Sequence, residues 1–367
     1  MNAARSLLAV VVLGLGLGLS FPAPPASAQP GDWKQKWDRT VAAAKAEGEL
    51  VLSIPSGSVW RGELALFEKA YPDIKLKMTA FSGRDFWPRF VKEREVGQNL
   101  WDLRAGGTDH VAYKLKNEGQ FEPVRDFLIL PEVANDANWY GGIDGMFLDK
   151  EKRFVLTYVA VETNPALYNK KFIGEAGLTA TDLVDPRWRG KIAMADPSIG
   201  SSLAGMSVLY KRLGPDFIRK LVIDQRPVIT KVPRQQLDWL IAGRYPIAWG
   251  LPSAATVEYE KRGGDVSFLE DVRGGLQWSN GVGGIQMPTK APHPNAAKVF
   301  INWLLTKNTQ THLMKGVQLN SRRKDVPPGA PGLVLDHTRM NDYVNGQSEE
   351  IDPYQYKVLE LVREGGR

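Results

Sequence analysis

Short apolar runs alternate with longer amphipathic segments along the first half of the chain. The runs lie at residues 50–54, 75–81 and 101–105, and each precedes a segment whose apolar side chains recur at helical spacing. A short loop rich in glycine, serine or threonine joins each run to the segment that follows it. Alternation of this kind predicts a parallel sheet covered by helices.

The same alternation begins again in the second half of the chain. Apolar runs at residues 191–195, 228–232 and 245–249 each lead through a polar loop into a segment of helical spacing, and a further run follows at 266–269. A chain of 367 residues is long for a single core. The sequence therefore predicts an α/β protein with two lobes, each a mostly parallel sheet flanked by helices.

Two more apolar runs, at residues 154–161 and 281–287, lie between and after the two halves. Extended strands at these positions would cross from one lobe to the other. We therefore expect a hinge of two strands.

The loops at the predicted strand ends are short, small and polar. In open parallel sheets, ligands bind beyond the carboxyl ends of the strands. Helices that start there direct free backbone N–H groups and hydroxyls toward the same space. We expect these loops to bind a small solute through Ser56, Gly57, Ser58, Ser82, Arg84, Thr108 and Asp109 in the first half, and through Ser201, Ser202, Arg234, Trp249 and Ser253 in the second.

Each of these residues also has a purely structural interpretation. Taken one at a time, the loops can be ordinary turns with helix caps. Arg84 can pair with a carboxylate or phosphate of a solute, or it can be a surface arginine at the start of a helix. Trp249 can be a platform for the solute or a core side chain.

The first 28 residues have a different character. Arg5 precedes an apolar run at residues 7–21, and Ala26, Ser27 and Ala28 form a small-residue cleavage pattern. This arrangement predicts a cleaved secretory signal peptide. The sequence contains no cysteine, which excludes a lipoprotein anchor, disulfides and thiolate metal sites. We therefore expect a soluble protein of the periplasm.

The charge and the motifs argue against several other functions. The formal net charge is +6, with the charges interspersed, so nucleic acid is not an expected partner and anionic ligands are slightly favoured. No phosphate-binding or dinucleotide-binding glycine motif follows a predicted strand. The four histidines are far apart, and residues 200–204 lack the second glycine of a nucleophile elbow. We expect no enzyme, no cofactor and no metal site.

Three segments carry a family resemblance: "DLVDPRWRGKIAMADPS" at 182–198, "GRYPIAWGLPSA" at 243–254 and "KAPHPNAAKVFINWLLTKNTQ" at 290–310. With "SRRKDV" at 321–326, they resemble the periplasmic solute-binding proteins of ABC importers, in the ferric-iron-transport-like branch. The resemblance implies a type II periplasmic-binding fold that encloses its ligand between two lobes. It also implies a monomer that delivers its solute to a permease and ATPase complex in the inner membrane.

Combined with the predicted hinge, the resemblance gives expected lobe bounds. The first lobe should comprise residues 29–157 with 281–318. The second should comprise residues 158–280 with 319–367, including C-terminal helices that return to it.

One segment departs from the ferric-binding pattern. Members of that branch place adjacent tyrosines after the strand that corresponds here to residues 245–249, whereas Tyr259 stands alone in this sequence. Loops rich in serine, threonine, glycine and arginine suit an oxygen-rich organic anion, such as a carboxylate, phosphate ester or phosphonate. Two alternatives stay open, namely a ferric-ion-binding transport protein and an enzyme or sensor component on the same scaffold.

Overall fold

The computed structural model describes residues 32–163, 166–174, 177–198, 200–251, 265–269 and 276–366. Within these residues the α-helices, in chain order, are α1 Asp32–Glu47, α2 Ser58–Leu64, α3 Leu66–Ala70, α4 Gly83–Glu95, α5 His110–Asn117, α6 Pro131–Ala134, α7 Lys170–Ile173, α8 Gly200–Leu213, α9 Pro215–Arg219, α10 Pro233–Ile241, α11 Pro294–Leu305, α12 Lys307–Val317 and α13 Asp352–Glu364.

The strands of the described residues are short. They are β1 Glu49–Ile54, β2 Lys75–Ala80, β3 Leu103–Gly106, β4 Leu156–Thr157, β5 Val161–Thr163, β6 Ala166–Asn169, β7 Ile192–Ala195, β8 Val228–Thr230, β9 Ile247–Trp249, β10 Val266–Phe268, β11 Leu276–Ser279, β12 Gly284–Gln286 and β13 Tyr343–Asn345.

Single helical turns supply much of the connecting structure. They are the 3₁₀ turns Val124–Phe127, Asp136–Asn138, Asp144–Met146, Thr181–Val184, Pro186–Trp188, Pro331–Leu333 and His337–Asp342, and the π turn Lys220–Asp224.

Several helices begin at signals that are visible in the sequence. Proline occupies the first turn of α9, α10, α11 and α13, where its missing N–H leaves no hydrogen bond unmade. The side chain of Thr306 caps α12 by accepting a hydrogen bond from the amide of Thr309. These local signals explain why the helix starts could be read from the sequence.

The first lobe is built on a five-stranded sheet in the order β2-β1-β3-β12-β4. β1 pairs in parallel with β2 and β3, whereas β12 runs antiparallel to β3 and β4. Leu50, Leu52 and Ile54 pack into the main core, while Val51 packs on the opposite face of the sheet. This alternation follows from the twofold side-chain period of a strand.

The second lobe is built on a five-stranded sheet in the order β10-β6-β9-β7-β8. β7 pairs in parallel with β8 and β9, and β6 and β10 add an antiparallel edge. Val358 and Leu361 of α13 are buried in the core of this lobe. The predicted fold class is confirmed: both lobes are mixed α/β, and each has a parallel centre.

Neither predicted crossing is one long strand. The run at residues 154–161 contains β4 of the first sheet and the start of β5, which belongs to a small third sheet. The run at 281–287 contains only β12 of the first sheet, and β11 of the third sheet precedes that run. β5 and β11 pair antiparallel in that third sheet, and β13 joins β11 in parallel. The chain breaks between β4 and β5 because Tyr158 and Ala160 hydrogen-bond alternately to Gly283 and Asn320, in two different segments.

The segment after α12 contacts the first lobe before the chain reaches α13. Arg323 donates hydrogen bonds to the carbonyl oxygens of Glu132 and Leu305. The lobe bounds expected from the sequence remain a prediction. In the described part of the chain, no helix is both long enough and apolar enough to cross a membrane.

Candidate functional site

Four loops of the first lobe meet at one edge of its sheet. Because β1, β2 and β3 are parallel, their carboxyl ends at Ile54, Ala80 and Gly106 lie at the same edge. β12 runs the other way, and its first residue, Gly284, pairs with Gly106. The loop from the hinge therefore joins the three loops that were predicted to bind a solute.

Two of the predicted site residues cap helices at this edge. The Ser82 hydroxyl accepts a hydrogen bond from the amide of Asp85 and donates one to its carboxylate at 2.6 Å. The Asp109 carboxylate accepts the amides of Val111 and Ala112, and its second oxygen accepts the indole N–H of Trp87 at 3.1 Å. These bonds fix the starts of α4 and α5.

A buried arginine lies beneath the same edge. Arg104 of β3 is 1% exposed, and its guanidinium lies 4.6 Å and 4.9 Å from the ring centres of Phe86 and Trp87. Nη1 donates to the hydroxyl of Ser53 at 3.0 Å, and Nε has no hydrogen-bond acceptor among the described residues. The guanidinium lies so close to the strand end that a Cβ on Gly106 would stand 2.8 Å from Nη2.

The charge of Arg104 lacks a matching acid. No carboxylate of the described residues forms an ion pair with it, and Asp109 acts on it only at longer range. Burial lowers the pKa of Arg104 and Asp109 partly opposes this, so that the pKa is about 10. The guanidinium is therefore charged at neutral pH and has no ion-pair partner among the described residues.

A buried amide completes this polar layer. Gln286 of β12 lies opposite Arg104 in the strand register and donates through Nε2 to the hydroxyl of Thr108 at 3.0 Å. Its Oε1 is buried without a donor among the described residues. Asn280, in the loop before β12, is fully buried with both side-chain amide atoms unpartnered in the described structure.

Three of the predicted residues of the second lobe, Ser201, Ser202 and Trp249, lie together at the ends of β7 and β9. The Ser201 hydroxyl is exposed and donates to the carbonyl of Gly250 at 2.7 Å, whereas Ser202 is buried and donates to the carbonyl of Ala195. Trp249 is fully buried and donates its indole N–H to the carbonyl of Ser202 at 3.3 Å. Trp249 is therefore a core side chain, which was the second of its two interpretations.

The remaining predicted residues make fewer contacts. Ser56 and Gly57 are exposed in the loop that leads into α2, Ser58 is exposed as the first residue of α2, and Arg234 is exposed in the first turn of α10. Arg84 lies in the first turn of α4, but its side chain is outside what the structure describes, and Ser253 lies outside the described residues altogether. Within the described residues, no hydrogen bond joins the predicted set of one lobe to that of the other.

A family model of bacterial extracellular solute-binding proteins matches residues 64–332, well over half of the chain. The chain belongs to this family. No curated protein sequence matches it significantly.

Solved structures show the same fold. They include iron-bound HitA from Pseudomonas aeruginosa, with a TM-score of 0.64 and 16% identity over 87% of this chain and 99% of that one. The ferric binding protein from Campylobacter jejuni gives 0.65 and 15%, over 86% and 98%. AfuA from Actinobacillus pleuropneumoniae, with exogenous fructose-6-phosphate bound, gives 0.59 and 17%, over 86% and 97%.

The family and the fold together are those of the solute-binding proteins of ABC importers, so the resemblance seen in the sequence is confirmed. They are those of transport proteins that bind a small solute and work with a permease and ATPase complex.

Two polar residues at the candidate site of this solute-binding protein were not predicted from the sequence. Arg104 and Gln286 lie within strands, whereas the predicted residues other than Trp249 come from loops after strands or from the helix starts that follow them. A signal was nevertheless present, because an arginine in the middle of the short run "WDLRAGG" must be buried if that run is a central strand.

Among the described residues, no three histidine, cysteine, aspartate or glutamate side chains come together as a metal site. Tyr259, on which the ferric comparison depends, lies outside the described residues.

Proposed function

We propose that this protein captures a small, oxygen-rich organic anion between its two lobes and delivers it to the permease of an ABC importer. The observation that supports this proposal is the uncompensated charge of Arg104 at the carboxyl edge of the first sheet. Family membership supplies the transport role, and the arginine supplies the sign of the solute's charge.

Electrostatics favours an anion at this edge. A buried guanidinium without a partner costs several kcal/mol, and an opposite charge that reaches it recovers part of that cost. The aromatic rings of Phe86 and Trp87 hold the planar group but carry no net charge. A carboxylate or phosphate above Gly106 would supply the missing negative charge and accept hydrogen bonds from the guanidinium of Arg104.

The rest of the proposed site suits oxygen atoms. Ser56, Ser58 and Thr108 from the first lobe, with Ser201 and Arg234 from the second, offer hydroxyl and guanidinium donors. Each lobe would hold only part of a small ligand, so the bound solute favours the closed arrangement through the contacts that it gains.

The ferric alternative rests on solved structures of the same fold that bind iron, including HitA. AfuA, which has the same fold, was solved with a sugar phosphate, so the fold accommodates either ligand class. We place the organic anion first because of Arg104, which would repel a ferric ion. Titration with ferric salts should give no visible tyrosinate-to-iron band, and a band that disappears in Tyr259→Phe would favour iron instead.

We further propose that residues 1–28 are a cleaved signal peptide and that the mature, soluble chain begins near Gln29 in the periplasm. The supporting pattern is Ala26-Ser27-Ala28 without a following cysteine. Mass spectrometry of a periplasmic extract tests this directly. An intact N-terminus confined to the membrane fraction would contradict it.

The ligand class can be tested by a thermal-shift screen, because a tight ligand raises the melting temperature by mass action. The panel would contain fructose 6-phosphate, citrate, a phosphonate and ferric salts, with neutral sugars for comparison. Calorimetry of the best ligand should show about 10- to 100-fold weaker binding to Arg104→Gln, the loss expected for a charge-assisted hydrogen bond. The surface variant Arg187→Gln is the control and should bind normally.

Three outcomes would count against the proposal. Full affinity in Arg104→Gln would remove the assigned anion contact. Tight binding of neutral sugars alone would exclude the anion class. Steady product formation in a turnover screen against esters and phosphoesters would indicate an enzyme on this scaffold.

A further inference from the structure

The chain crosses between the lobes a third time near its C-terminus. We call residues 343–352 the C-terminal strap. Its first part, β13, pairs with β11 of the hinge, and α13, which follows it, packs on α8 of the second lobe. The strap therefore contacts the hinge and the second lobe directly.

The strap is also anchored to the first lobe through α5. The Lys116 ammonium lies 2.8 Å from both carboxylate oxygens of Glu349, and both side chains are buried. The Tyr113 hydroxyl donates to the carbonyl of Gln347. These contacts hold the strap against the helix that begins at the solute-binding edge.

The side chain of Gln347 joins this edge to the hinge. Its Nε2 donates to the carbonyl of Thr108 at 3.3 Å, in the loop between β3 and α5. Its Oε1 accepts the hydroxyl of Ser279 at 2.6 Å, at the end of β11. Ser279 in turn accepts the amide of Gly281 at 2.8 Å, where the chain turns from β11 toward β12.

We propose that Gln347 is a positioning residue that couples the Thr108 loop of the solute site to the hinge. One side chain bonds to both, so a change at either end is transmitted to the other through two hydrogen bonds. The Thr108 hydroxyl also accepts a hydrogen bond from Gln286, which lies beside Arg104. The coupling therefore extends to the guanidinium that we propose binds the solute.

The hydrogen bonds of Gln347 exist without solute. Only the role that we give them in solute binding rests on the proposed function. Hinge rotation during closure moves residues 279–283, and Gln347 would carry that movement to the loop that touches the solute. In this way solute binding and lobe closure become linked equilibria.

Hydrogen exchange of the solute-free protein tests the coupling. Gln347→Met keeps the side-chain volume but removes both hydrogen bonds. Amide exchange should rise about fivefold in residues 106–110 and also in 279–283. This factor corresponds to the net free energy of one typical hydrogen bond. The buried Lys116–Glu349 pair should keep this variant folded.

Gln355→Met is the matched control. Gln355 also donates to a backbone carbonyl, that of Gly346 at 3.1 Å, but contacts neither the loop nor the hinge. Its replacement should raise exchange within the strap and leave residues 106–110 unchanged. A purely structural role for Gln347 predicts the same pattern for both variants.

Two partial variants separate the ends of the connection. Gln347→Glu keeps an acceptor for Ser279 but loses the donor to Thr108, so exchange should rise mainly at residues 106–110. Ser279→Ala, a small change that the fold should tolerate, should loosen residues 279–283 and, through Gln347, residues 106–110. If Ser279→Ala leaves 106–110 unchanged, or if Gln347→Met matches Gln355→Met, the coupling is refuted even where a solute is found to bind.

Discussion

At the scale of single residues, the buried charges divide into compensated and uncompensated groups. Lys116 is compensated: burial lowers its pKa, but the hydrogen bonds that it donates to Glu151 and Glu349 raise it by more, so the net shift is upward. Arg104 has no such partner among the described residues. An uncompensated charge is the stronger indication of a ligand, since a structural charge normally acquires its partner within the fold.

Removing one partner of the buried pair should lower stability. Glu349→Gln leaves Lys116 with Glu151 alone, whose side chain is half exposed, and should reduce the free energy of unfolding by about 2–4 kcal/mol. The control is Glu118→Gln on α5, which breaks the exposed Lys114–Glu118 pair and should cost less than about 0.5 kcal/mol. Urea unfolding measures both, and equal losses would show that burial does not matter here.

Asp352 should make stability depend on pH. Burial, together with the charges of Glu349 and Asp109 and against that of Lys150, raises its pKa to about 6. One of its carboxylate oxygens is buried without a donor in the described structure. Because its pKa is higher in the folded state, its contribution to stability is complete below about pH 4 and is lost as the pH rises through about 6.

The variant Asp352→Asn removes this charge. Its melting temperature at pH 7.5 should exceed that of the wild type by about 1–3 °C, and the difference should disappear below pH 4. The exposed variant Asp342→Asn serves as the control. A wild-type advantage at pH 7.5 would mean that the carboxylate is better solvated than its buried position indicates.

At the scale of elements, close packing of α8 on β9 depends on a glycine. Gly250 follows β9 with φ +81°, and a Cβ there would stand 2.8 Å from the Cβ of Ser202 and 3.0 Å from that of Ala195. The chain turns here so that the Gly250 carbonyl can accept the Ser201 hydroxyl. The second-lobe part of the proposed site is held by this turn.

Gly250→Ala should therefore destabilise the fold by about 2–4 kcal/mol, from left-handed backbone strain together with overpacking. Gly200→Ala separates the two causes, because Gly200 also has positive φ, +58°, but no described atom lies within 4 Å of its Cβ position. It should cost only about 1–2 kcal/mol. Denaturant unfolding of both variants measures these costs. Equal costs would show that α8 can shift to make room for the added methyl group.

At the scale of the whole molecule, three chain crossings join the lobes in the described part of the chain, and two of them contain the strands of the predicted hinge. We expect a solute found by the thermal-shift screen to reduce the radius of gyration measured by small-angle scattering, because contacts from both lobes favour closure. Arg104→Gln with the same solute is the control and should stay open at concentrations that close the wild type. An unchanged radius in the wild type at saturation would contradict hinge closure.

Local signals made much of the fold predictable. The apolar runs marked the strands of both five-stranded sheets except β6, and Pro215 marked the start of α9. These features depend on side-chain periodicity and on the fixed φ of proline, which act within a few residues. The break between β4 and β5 was missed, because it depends on hydrogen bonds to Gly283 and Asn320, which are far away in sequence.

The candidate site was less accessible to such reasoning. Its loops could be predicted from the sequence. Which of their residues cap helices, which are buried and which are exposed could not. Asp109 and Ser82 cap helices, Ser202 and Trp249 are buried, and Ser201 is exposed. A serine after a strand has the same local sequence in either role, and burial by distant segments decides between them.

The sequence by itself determined the two-lobed α/β class, the positions of most strands and the family, since these depend on periodicity and on contiguous motifs. Only the tertiary structure decided that Arg104 has no ion-pair partner among the described residues and that Gln347 links the Thr108 loop to the hinge. A charge is compensated, or a hydrogen bond formed, by whichever groups the fold brings within about 3 Å. For Gln347 those groups lie in segments far from it along the chain, so its role follows from the assembled sheets and cannot be read from its neighbours.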